Sequence, residues 1–153
     1  MHLCSKIPAL AKRNVIDAIE FNFQVWGINS NMEDYRLCWH VNEMLKWQMK
    51  RIHDVRFYSP KIKDHMHFNA YKYQQKIDRY TVELLQNKNS GNYLIPEMKN
   101  FDFLFIFQGE DDYFEADKFL HFVSQISGVQ SVIPIKVNSL KSRYNLLLRH
   151  FHE

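Results

Sequence analysis

A chain of 153 residues, 46% hydrophobic and 24% charged, fits one globular domain that buries a core without metal or disulfide help. Two cysteines exclude a disulfide scaffold, four glycines exclude Gly-rich phosphate loops, and no run has the length of a membrane span or a signal-peptide core. The net charge of +3 is mild, but ten bases face four acids between residues 46 and 88, and seven acids face Lys99 alone between 97 and 117.

Residues 1–14 read as a mobile basic leader. Ile19, Phe21, Phe23 and Val25 alternate with polar residues, the period of a half-buried strand. Gly27 and Asn29-Ser30-Asn31 are expected to end it. Ser30 and Glu33 have the spacing of a capping box, which predicts a helix over 31–47. Its apolar stripe is Leu37, Cys38, Val41, Met44 and Leu45. Glu33 and Asp34 suit the positive end of its dipole and Lys46 the negative end.

A strand-rich middle follows: 51–58, 65–73 and 80–86, with breaks at Ser59-Pro60 and a hairpin turn at 75–78. Residues 87–92 read as a loop. Phe101 to Phe107 is apolar on both faces apart from Asp102, which marks a central strand covered on both sides. Ala116, Phe119, Leu120, Val123 and Ile126 repeat at helical spacing, and Gly128 is placed to end that helix. Val129 to Val137 is a last strand, which Pro134 assigns to an edge or a bulge. Residues 138–150 have short helical character.

The order is β-α-β-β-β-β-α-β. It predicts a single α+β domain over 15–150, a mostly antiparallel sheet with two main helices packed on one face. The final strand-helix-strand suits a crossover between parallel strands.

Candidate chemistry is sparse. His65 and His67 share a strand face, a spacing that can hold metal, but no third ligand accompanies them. Cys38 and His40, two apart on a helix, point away from each other. His40 and His121 have no nucleophile tied to them by spacing. The basic middle interleaves aromatics, so an open sheet could present Arg56, Lys61, Lys63, Tyr71 and Lys72 to nucleic acid. Glu97 and Asp102 beside the central strand read as a structural latch, with Lys141 and Arg143 as partners. Among Trp26, Trp39 and Trp47, at least two are expected in the core and any remaining one on an apolar patch that a second copy covers.

Four stretches carry a family resemblance: GINSNMEDYRLCWHVN (Gly27 to Asn42), YLIPEMKNFDFLF (Tyr93 to Phe105), GVQSV (Gly128 to Val132) and LKSRYNLLL (Leu140 to Leu148). Together they resemble the IPExxxVDY family of small Bacteroidetes proteins, over about residues 16 to 148. Here the family's Val-Asp-Tyr is Phe101-Asp102-Phe103, without the phenolic hydroxyl. Tyr144 replaces an acid common in the family's last segment. The resemblance brings no activity, ligand or cofactor with it.

The expectation is therefore a cytoplasmic, non-enzymatic binding or scaffold protein that self-associates as a homodimer, with no cofactor, no metal, no membrane partner and no DNA-binding motif. The alternative is an RNA- or ribosome-associated factor using the surface between residues 46 and 88.

Overall fold

The computed structural model describes residues 21–77, 79–109 and 115–150. The leader expected over 1–14 lies outside them. In chain order the elements are β1 (Gln24–Ser30), α1 (Asp34–Leu45), β2 (Lys50–Arg51), β3 (Val55–Ser59), β4 (Asp64–Phe68), β5 (Ala70–Gln75), β6 (Tyr80–Gln86), β7 (Lys88–Asn89), β8 (Asn92–Tyr93), β9 (Phe103–Gly109), α2 (Ala116–Ser124) and β10 (Val129–Ile135). Three short 3₁₀ turns, Pro96–Met98, Val137–Ser139 and Arg143–His150, complete the described chain.

Period-2 alternation explains the layers. Phe103, Phe105 and Phe107 of β9 enter one core, while Leu104 and Ile106 enter another on the opposite face. On the first side, Trp26, Ile28, Val82 and Leu84 meet Leu37 and Val41 of α1 and Phe119 and Val123 of α2. On the second, Val25 and Leu85 meet Val55 and Phe68 of the β3–β4 hairpin, Leu94, Ile95 and Met98, and then Val137, Leu140 and Leu146. The helices thus cover one face of an antiparallel six-stranded sheet, as in the α+β reading. A hairpin and the C-terminal segment cover the other.

The sheet order is β10-β1-β9-β6-β5-β2. The last crossover joins strands that are parallel but not neighbours, because β1 lies between β9 and β10 and runs antiparallel to both. β10 is an edge, which accommodates Pro134 without a missing ladder donor.

Several boundaries differ from the sequence expectation, each for a local reason. β1 runs through Gly27 instead of ending there. A Cβ on Gly27 would lie 2.6 Å from Cγ of Phe101, so the glycine makes room for a ring. Ser30 does not cap α1. It closes β1, its hydroxyl donating to the Gly128 carbonyl at 2.8 Å and accepting the Met32 amide at 3.1 Å. The N-cap of α1 is Glu33. The helix stops at Leu45, with Lys46 left-handed at φ 57, because Asn42 bonds both the amide (3.0 Å) and the carbonyl (3.1 Å) of Met49 and turns the chain back. The expected 51–58 strand is two elements, β2 in the main sheet and β3 in the hairpin. The expected 65–73 strand divides at Asn69 into β4 and β5, in different sheets. The expected 87–92 loop carries the small β7–β8 hairpin, with Ser90 and Gly91 both at positive φ.

Candidate functional site

The residues expected to meet nucleic acid divide between two places. Arg56, Lys61 and Lys63 are exposed on the β3–β4 hairpin. Arg56 stands opposite His67 and Tyr58 opposite His65 on its outward face, where Tyr58 is 54% exposed. Lys72 lies away from them, on β5 of the main sheet. Tyr71 is a correction. Its neighbours on β5 alternate, so it points into the helix-side core, buried, with its hydroxyl donating to Asp34 Oδ2 at 2.7 Å. Burial and the Asp34 carboxylate raise its pKa to about 12. It offers no face for a base. Phe57 also turns inward, and the sheet expected to lie open is covered on both sides.

Glu97 and Asp102 do different work. Glu97 follows Pro96 in the first 3₁₀ turn and reaches the C-terminal segment at Ser142. It accepts the Ser142 amide at 2.9 Å and its hydroxyl at 2.6 Å. Burial opposes ionisation here, but these bonds, together with the charge of Lys141, hold the Glu97 carboxyl below its ordinary value. Arg143 donates to the Leu140 carbonyl at 3.0 Å and lies over the Phe21 ring. Asp102 instead ties the sheet to itself, its carboxylate accepting the Ser30 amide at 2.9 Å where β1 bulges. Asn145 adds a third bond from the C-terminal segment, to the Leu94 carbonyl at 2.9 Å.

Three buried polar groups give no advance signal in the sequence. Glu83 alternates with apolar neighbours as a solvent-facing residue would, yet it is 2% exposed and paired at 3.1 Å with Arg149, itself 1% exposed. The two are joined only by the C-terminal segment folding over the sheet. Asn87 is fully buried and donates to the Met98 and Phe101 carbonyls, each at 2.9 Å, while accepting the Ile95 amide at 2.8 Å. It thereby sets the path of the whole LIPEMKNF stretch. Asp34, at the start of α1, accepts from Asn69 and Tyr71 and so ties the helix to the β4–β5 break.

The three tryptophans separate cleanly. Trp26 is buried, and Trp47 stacks on Phe105 with its indole donating to Tyr80 at 3.1 Å. Trp39 is 59% exposed on the outer face of α1, with Tyr35, 61% exposed, one turn before it. Arg36 and Glu43 are exposed on the same side of the helix, seven residues apart.

Reactive chemistry is muted. Cys38 is buried. Burial, then the Asp34 charge, pushes its thiol up to about 11, so it is a core residue and not a nucleophile. His65 and His67 are exposed, and among the described residues no group of three His, Cys, Asp or Glu side chains could hold a metal ion. Nor is any described helix long and apolar enough to cross a membrane. No family model, curated protein or solved structure matches this chain.

Proposed function

We propose that this chain is a non-enzymatic cytoplasmic binding protein that works as a homodimer, with the outer face of α1 as the contact between copies. The observation that carries it is Trp39. Two tryptophans serve the core, and the third stands in solvent beside Tyr35. Exposed aromatic surface of this kind is favourable to cover and is enriched in interfaces. The face is also self-complementary. In an antiparallel pairing of two α1 helices with the dyad at Trp39 and His40, Arg36 of each copy meets Glu43 of the other, twice over. The engagement of Asp34, Glu83, Glu97 and Asp102 in structural bonds supports a non-catalytic reading. The four sequence stretches support reading the chain as a relative of the IPExxxVDY family. Sedimentation equilibrium over a concentration series tests the dimer: the mass is expected to double, and Trp39→Ser to return the monomer. A wild-type monomer at every concentration contradicts it.

The hairpin favours a second reading, association with single-stranded RNA. Arg56 and Tyr58 share its outward face, and Lys61 and Lys63 are exposed in the turn that joins its strands. Binding of an unstructured RNA there would fall steeply with salt and weaken in Lys61→Gln/Lys63→Gln. Salt-independent or undetectable binding removes this reading.

A further inference from the structure

Where β5, β6 and β9 meet the β5–β6 turn, a cavity of about 510 Å³ opens among Lys72, Gln74, Lys76, Arg79, Glu83 and Gln108. Its cations come from two elements. Lys72 stands on the sheet, directly opposite Lys50 on one side and Glu83 on the other. Across the ladder, Lys50 repels Lys72 and Glu83 attracts it. Lys76 and Arg79 project from the turn, both exposed.

Among the described residues, Glu83 is the one acid in the lining. Its carboxylate is already matched by the Arg149 guanidinium at 3.1 Å, and both groups are buried. Three lining cations then have no further described lining carboxylate to answer them. Gln108 accepts from Arg149 with its side-chain oxygen at 3.2 Å, so the amide's remaining capacity is as a donor. Point-charge lysines, a forked guanidinium and amide donors in one concavity form the chemistry that recognises phosphate. The volume lies in the range of small-molecule sites.

We propose that this cavity binds a small phosphate-bearing anion of nucleotide size. The site is separate from the outer face of α1 and stands whether or not the chain dimerises. In sequence, Asp78 lies between Lys76 and Arg79, and Glu110, Asp111 and Asp112 follow Gly109. All four lie outside the described residues.

Isothermal titration calorimetry of the full chain with inorganic pyrophosphate and with adenosine 5′-diphosphate tests the site. Both are expected to bind. Tighter binding of the diphosphate nucleotide identifies a nucleotide pocket, and equal binding a pocket for the phosphates alone. Lys76→Gln/Arg79→Gln should weaken each by about tenfold or more. Lys61→Gln/Lys63→Gln, which removes the same charge from the hairpin, should leave them unchanged. Lys76→Gln alone serves if the double variant does not fold. No heat with either probe up to about 10 mM overturns the proposal, and neutralisation of the cavity by the neighbouring acids would give that result. Equal weakening by the two double variants also overturns it, since diffuse surface charge would then explain the binding.

Discussion

Gly27 sits in the middle of β1 with the ring of Phe101 against it, so close that a Cβ would lie only 2.6 Å from the ring. Gly27→Ala therefore requires the ring to move, and overpacking of this kind costs about 1–3 kcal/mol. In a Phe101→Leu background the same change should cost much less, because the two positions share one volume. Urea unfolding of the four chains checks this; equal penalties in both backgrounds would mean that the ring is not the obstacle. A glycine in a strand pattern is readable as a place of close approach. Which ring approaches is not, since Phe101 is far off in sequence. The same holds for Glu83. It alternates with Val82 and Leu84, and only Arg149, brought over the sheet by the C-terminal segment, makes its burial tolerable.

Elements whose period is set by their own neighbours were legible: β6, the doubly buried β9, the apolar stripe of α1 and the edge position of β10. Elements bounded by long-range bonds were not. β1 and α1 meet at a Ser30 hydroxyl bonded to Gly128, and α1 ends where Asn42 captures Met49. The β4–β5 break depends on Gln86, which accepts the Asn69 amide at 2.9 Å. The expected latch gave Glu97 and Asp102 the bases Lys141 and Arg143 as partners, but Asp102 binds the Ser30 amide and Arg143 the Leu140 carbonyl, which leaves Glu97 to reach this segment. Its observed bonds run to Ser142, the residue between the two bases. Because the folded pKa of Glu97 lies below its ordinary value of 4.5, the latch contributes above that value and is lost as pH falls through the folded pKa. The Ser142 amide resonance should titrate with an apparent pKa below 4.5, and Glu97→Gln should abolish that titration. A Ser142 amide indifferent to acid would show that the carboxylate does not hold the segment.

At the scale of the molecule, the sheet is closed on one side by helices and on the other by the hairpin and C-terminal segment. The Glu83–Arg149 pair fastens that second cover. Arg149→Met leaves a buried carboxylate without its partner, and breaking such a pair costs about 3–5 kcal/mol. Glu83→Leu/Arg149→Met should recover most of the loss, as measured by urea unfolding. If the double variant is as unstable as the single one, packing and not charge explains the effect. With both sheet faces covered, the exposed aromatic pair on α1 is the contact we propose between copies. The most direct test of that claim is a charge exchange read by sedimentation equilibrium. The wild-type chain should show about twice its 18.5 kDa mass. Arg36→Glu and Glu43→Arg should each return the monomer, and Arg36→Glu/Glu43→Arg should restore the dimer. A monomeric wild type, or a double variant no better paired than either single one, would contradict self-association through this face.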